Sequence, residues 1–196
     1  MTEKGRDSMK ILCYGDSNTY GYDGAALFGG RFPPELCWPA LLGRVLGCET
    51  VNCGLNGRRV PQSDRSAQAD AALLRRAAPC DLILVMLGTN DILSEAEPEA
   101  TAAHMRAFLT RLRSALPDSA VMLLAPPPVG EFGQGYAEAF GELAGLYETL
   151  AEELGLHFLD TARWGVPTGP DGVHFSAQGH RLFAMKLAQG LRAMYA

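Results

Sequence analysis

The sequence predicts an α/β fold, a parallel sheet covered by helices, and three observations carry that expectation. Apolar runs of strand length recur at 10–14, 50–53, 81–87, 120–125 and 157–159. Longer segments with helix-like spacing stand between them. Two stretches rich in glycine and proline, 21–34 and 126–135, each follow a predicted strand end, where open α/β sheets place their ligand crevice.

The first run, KILCY, leads into Gly15-Asp16-Ser17, and the second, TVNC, into Gly54-Leu55-Asn56-Gly57. The third, DLILVML, is continuously apolar after Asp81, as a strand covered on both faces must be, and ends in Gly88-Thr89-Asn90-Asp91. A helix follows, with Ala102, Met105, Leu109, Leu112 and Leu116 on one face, Pro98 in its first turn and Pro117 at its exit. After the fourth run, Phe140, Leu143, Tyr147, Leu150 and Leu154 mark a second helix. After the fifth, Phe183, Leu187, Leu191 and Met194 mark a third, with Ser176 as its N-cap.

The 196 residues, 47% hydrophobic and 20% charged, suffice for a sizeable core, and the expectation is one domain over 9–196 behind a flexible leader of residues 1–8. Seventeen basic against 22 acidic residues, with no basic block, argue against a nucleic-acid partner. No apolar run approaches the length of a membrane span, and MTEKGRDSMK lacks the apolar core of a secretory signal, so a cytoplasmic location is expected. Cys13, Cys37, Cys48, Cys53 and Cys80 form an odd set without a close CxxC pair and read as buried thiols.

Chemistry enters at the strand ends. A strand-to-helix turn at Ser17 exposes a hydroxyl and aims a backbone N–H at a bound oxygen. GDS by itself reads as a local turn or cap, and Asn90 by itself as an Asx-turn closing a strand. Asn90 falls at the same sheet edge as Ser17, and the bare Gly57 can bring its N–H close to a ligand. Asp171 and His174 leave one short loop, so they can act as a base and the group that orients it, although His174 also reads as a half-buried ring bonded to backbone. His104 and His157 have no acid at a suggestive spacing. His174, His180 and Asp171 lack any recognised metal-ligand spacing, and no metal is expected.

The conjunction and order of these pieces, Ser17 in GDS, Gly57 in GLNG, Asn90 in GTND and His174 in DGVH, resemble the four blocks of the SGNH (GDSL-type) hydrolase superfamily over nearly the whole chain. The wording ILCYGDSNTYGYDG, VNCGLNGRRV, DLILVMLGTND and DGVHFSAQGH is similar to its bacterial arylesterase branch. The resemblance implies a three-layer αβα sandwich on a flavodoxin-like sheet of about five parallel strands. It also implies a serine esterase of small acetyl-type or aryl esters, acting through an acyl-enzyme on Ser17, with acyl transfer as an accompanying activity. His174 and Asp171 would complete the catalytic group, and the oxyanion hole would comprise Ser17, Gly57 and Asn90. No cofactor is implied, the partner is a small ester, and relatives of this type suggest a homo-oligomer. The first block departs at Asn18, where the name has leucine, and the second at Arg59, where relatives often have a small hydroxyl residue.

Within the same superfamily the alternatives are a carbohydrate deacetylase or a lysophospholipase or thioesterase. From another class, the alternative is a non-catalytic α/β binding module. A flavodoxin-like nucleotide binder suffers because GDSNTYG is neither a P-loop nor a GxGxxG fingerprint. Tyr20, Tyr22, Phe32, Trp38, Phe132 and Trp164 are candidates for the mouth of a site, although such residues more often serve packing.

Overall fold

The computed structural model describes residues 9–26, 29–129 and 135–194. The leader 1–8 and residues 130–134 of the loop after the fourth strand, Phe132 among them, lie outside the described residues. Five parallel strands, β1 (Lys10–Gly15), β2 (Glu49–Gly54), β3 (Leu82–Met86), β4 (Ala120–Ala125) and β5 (His157–Asp160), form one sheet in the order β2-β1-β3-β4-β5. This is the flavodoxin-like order, and the chain reverses its direction of travel across the sheet between β1 and β3. The predicted strands are all present, with their ends within one residue of the apolar runs.

Successive side chains of a strand point to opposite faces, and each face here has its own core. Leu12, Tyr14, Ile83, Val85, Val121 and Leu123 pack under α5 (Pro98–Ala115) and α6 (Ala137–Leu154), and α3 (Asp64–Arg76) docks beside them through Ala67 and Leu74. Ile11, Cys13, Leu82, Leu84, Met86, Met122 and Leu124 pack against α2 (Trp38–Leu46) and α7 (Ala177–Met194). Trp38, Phe175 and Trp164 surround Phe183 at ring centroid separations of 5.1 to 5.2 Å. Each such fully buried Leu or Phe side chain contributes about 1.5–3 kcal/mol relative to an exposed one.

The helix stripes hold where they meet the sheet: Met105, Leu109, Leu112, Phe140, Leu143, Tyr147, Phe183, Leu187 and Leu191 are buried. Met194 departs from its stripe and is exposed. Pro98 opens α5, and Ser176 caps α7 by accepting the Gly179 N–H. Two of the helix-like segments carry no stripe in the sequence analysis. The helix α3 buries Ala67, Ala71 and Leu74 behind a Ser63/Ser66 capping box, and α2 opens on Trp38-Pro39. The five cysteines are free; Cys13, Cys37 and Cys80 are buried, but Cys48 and Cys53 are only half-buried, since β2 is an edge strand. Burial pushes the Cys13, Cys37, Cys48 and Cys53 thiols up.

Candidate active site

The turn after β1 exists because Asp16 stops the strand and caps a short helix, α1 (Ser17–Tyr20), by accepting the Asn18 N–H at 2.9 Å. Ser17 is therefore the first helical residue, whose N–H has no acceptor inside the helix. On the far side of the chain, the loop before α7 folds back on itself: Gly169 N–H donates to the His174 carbonyl at 2.7 Å, and Ser176 N–H to the Pro167 carbonyl at 3.1 Å. Asp171 Oδ1 accepts the N–H groups of Val173 and His174, each at 3.0 Å, so the loop is wound around this carboxylate.

These two segments meet. His174 Nε2 lies 2.9 Å from Ser17 Oγ, and His174 Nδ1 lies 2.7 Å from Asp171 Oδ2. With Asp171 accepting at Nδ1, the imidazole carries its proton there and presents the Nε2 lone pair to the hydroxyl. Burial would raise the Asp171 carboxyl. The N–H groups of His174 and Val173 and the His174 ring outweigh it, and the carboxyl is held below the ordinary carboxylate value. Asp171 thus stays ionised beside an imidazole that can take a proton from Ser17.

Gly57 and Asn90 arrive from the neighbouring strand ends. Gly57, at φ 69°, lies on the loop after β2, a Cβ there would meet open space, and among the described residues nothing accepts its N–H. Asn90 sits in α4 (Thr89–Ile92) directly after β3, and its Nδ2 donates to the Arg58 carbonyl at 2.9 Å. Asn90 does not close an Asx-turn on its own backbone; it ties α4 to the residue next to Gly57. An amide nitrogen has a second N–H to give. Arg58 completes the junction. Its guanidinium donates to the Gly15 carbonyl at 2.9 Å and to the Cys53 carbonyl, and lies 4.3 Å from the centroid of the Tyr14 ring. One buried cation thus fastens the ends of β1 and β2 while its own carbonyl holds Asn90. Asp91 adds a further tie by accepting the Val60 N–H at 3.1 Å.

The loop after α1 roofs the Asp171–His174 pair. Tyr22 and Arg31 pair as an antiparallel bridge, and the Tyr22 ring lies 4.5 Å from that of His174, centroid to centroid. A Cβ on Gly24 would stand 1.9 Å from Asp171 Oδ2, the oxygen bonded to His174. Gly24→Ala is therefore expected to displace that carboxylate and break its bond to His174. An Asp171–His174 contact unchanged in the crystal structure of the folded variant would contradict the clash.

Of the other aromatic candidates, Tyr20 lies beneath the Arg31 guanidinium, Phe32 meets His180 edge-on, and Trp38 and Trp164 pack on Phe183. Arg59 is exposed and bonds through its guanidinium to Ser94 Oγ. His180 is separate from the site: it is fully buried, and its Nδ1 accepts the Trp38 N–H at 3.2 Å. Gly24 and Arg58 carry no signal in the sequence; each acts through a backbone or side-chain approach between segments remote in the chain, which spacing does not register.

Two buried titratable groups, Asp16 beside Ser17 and His180 apart from the site, have opposite demands. Burial pushes Asp16 up to about 6, against the pull of the Asn18 amide, and pushes His180 down to about 4. Folded Asp16 binds its proton more tightly than the unfolded chain does, so its contribution to stability is lost as pH rises from about 4 to about 6. Folded His180 binds its proton less tightly, so its contribution is present above about 6.5 and is lost as pH falls toward about 4. The slopes oppose one another. Asp16→Asn removes the first, and the variant's urea midpoint should gain on the wild type between about pH 4 and 6. Parallel curves would contradict a buried, ionisable Asp16.

Residues 13–182 match the model of the GDSL-like Lipase/Acylhydrolase family. The chain is 29% identical over 194 residues to thioesterase 1/protease 1/lysophospholipase L1 of Escherichia coli strain K12, covering 94% of this chain and 84% of that protein. Among solved structures, the native aryl esterase of M. smegmatis superposes with a TM-score of 0.82 at 29% identity, over 95% of this chain and 99% of that one. A carbohydrate acetylesterase from Sinorhizobium meliloti superposes with a TM-score of 0.80 at 28% identity, also over 95% and 99% of the two chains.

Proposed function

The chain belongs to the GDSL-like lipase/acylhydrolase family, and we propose that it is a serine esterase of small, short-chain acyl or aryl esters working through an acyl-enzyme on Ser17. The observation that carries this reading is the continuous relay from Asp171 through His174 to the Ser17 hydroxyl. His174 takes the hydroxyl proton as Oγ attacks the ester carbonyl, and Asp171 holds the imidazole in its tautomer and stabilises the imidazolium. The carbonyl oxygen, now an oxyanion, accepts from the N–H groups of Ser17 and Gly57 and from the Asn90 amide. His174 returns the proton to the leaving alcohol. Water then repeats the sequence on the acyl-enzyme and releases the acid; an alcohol in its place gives acyl transfer.

The names of the relatives support ester chemistry and differ on substrate. The elements from β1 to α7 occupy most of the described residues, and no further domain stands among them to enclose a long acyl chain. Likeness to the aryl esterase and to the carbohydrate acetylesterase supports short acyl groups over the lysophospholipase reading, with carbohydrate acetyl esters as the second substrate class. Turnover of 4-nitrophenyl esters from acetate to palmitate should fall steadily with chain length, and a maximum at the long end would reject the short-chain reading. The formation of one sheet by all five strands supports reading 9–196 as one hydrolase unit. Among the described residues no helix is long and apolar enough to cross a membrane. A cytoplasmic location and assembly into a homo-oligomer belong to the same proposal, and light scattering in solution tests the second.

A further inference from the structure

Asn18 stands next to the proposed nucleophile, where the name of the GDSL motif has leucine, and its side chain is almost wholly buried, with 5% of the residue exposed. Its amide bonds to backbone on both sides of His174: Oδ1 accepts the Phe175 N–H at 2.8 Å, and Nδ2 donates to the Val173 carbonyl at 3.3 Å. The side chain thereby pairs with residues 173–175 much as a neighbouring strand would. Its own backbone is fixed in turn, because Asp16 accepts its N–H.

Two grips therefore hold the His174 loop. Asp171 grips it from within, through the N–H groups of Val173 and His174. Asn18 grips it from the helix that carries Ser17. The first sets the imidazole relative to Asp171 and says nothing about where Ser17 is. Among the described residues, the second is the direct polar tie, besides the Ser17–His174 bond itself, between the nucleophile's turn and the loop of the base, two segments 157 residues apart. Phe175 is 2% exposed and wedged against Phe183 and His180, so little water competes for its N–H. A residue without an acceptor at 18 would leave that N–H buried and unpaired, and the loop would have to move to satisfy it.

We propose that Asn18 is a positioning residue that sets the distance and direction between Ser17 Oγ and His174 Nε2, an inference that rests on the reading of Ser17 as nucleophile and His174 as base. Its effect should fall on the chemical step. A residue that serves only folding would reduce the number of working molecules; one that positions the base reduces the rate of each working molecule.

The test counts sites before it measures rates. Wild type, Asn18→Leu and Asn18→Asp are titrated with a fluorophosphonate, the fraction labelled at Ser17 is read by mass spectrometry, and kcat and KM on 4-nitrophenyl acetate are expressed per labelled site. For Asn18→Leu, which loses both bonds, kcat per site should fall about tenfold or more while KM moves less than about twofold, as expected for a misplaced base. The second-order rate of labelling should fall alongside kcat. Asn18→Asp keeps the acceptor for Phe175 and loses the donor to Val173, so its kcat should lie between the other two, and it carries the test if the leucine variant does not fold. Wild-type kcat per labelled site in a folded variant, with only the melting temperature lowered, would overturn the proposal. A wild-type protein that turns over ester but never labels at Ser17 would instead overturn the reading beneath it, a result distinguishable because it appears before any variant is made.

Discussion

Ser17→Ala is expected to lower turnover of an aryl acetate by about 10⁴-fold or more while leaving the melting temperature near that of the wild type. The proposed nucleophile has no substitute within the relay: His174 can activate a water only if one occupies the volume vacated by the hydroxyl, and Asp171 is bonded to Nδ1, across the imidazole from Ser17. The fold should survive because the bonds that build the turn belong to its neighbours. Asp16 caps α1, Arg58 holds the Gly15 carbonyl, and Asn18 holds the His174 loop. What remains should be the modest acceleration that binding and the oxyanion donors provide without a nucleophile. Circular dichroism alongside initial rates checks both halves, and a variant with native activity would end the account of the site.

His174→Ala should cost a comparable factor, and the double variant Ser17→Ala/His174→Ala should be no worse than either alone. Residues that act as a unit lose the unit's whole contribution at the first removal. An additive double variant, with the two losses multiplying, would mean that hydroxyl and imidazole serve separate steps and that their 2.9 Å contact is incidental to the rate.

The strands were legible because a parallel sheet covered on both faces must be apolar at every position, as the fully buried run Leu82–Met86 is. The helices were legible only where their buried face is large. The stripes of α5 and α6 stand out, whereas α3 meets its layer through Ala67, Ala71 and Leu74, a face too small to rise above its arginines and aspartates. Ser17, Gly57 and Asn90 could be read from strand ends because in a parallel sheet those ends gather along one edge, and His174 from the short loop it shares with Asp171 before α7. Residues that act at long range in the chain could not. Gly24 matters because of a carboxylate 147 positions further along, and Arg58 because three carbonyl and amide groups from different strand ends converge on it. Asn18 was visible as a departure from the motif, but its grip on the backbone around His174 is a fact of three dimensions.

The central claim is that Ser17 carries the acyl group between its two transfers. Quenching the enzyme in acid during steady turnover of a 4-nitrophenyl acetate, digesting it and weighing the peptides reads that claim directly. The account predicts an acetyl mass increment confined to the peptide bearing Ser17, formed as fast as the first burst of nitrophenol and absent from Ser17→Ala. Turnover with no acylated peptide under conditions that show a burst, or with the increment on a cysteine or lysine peptide, would contradict it.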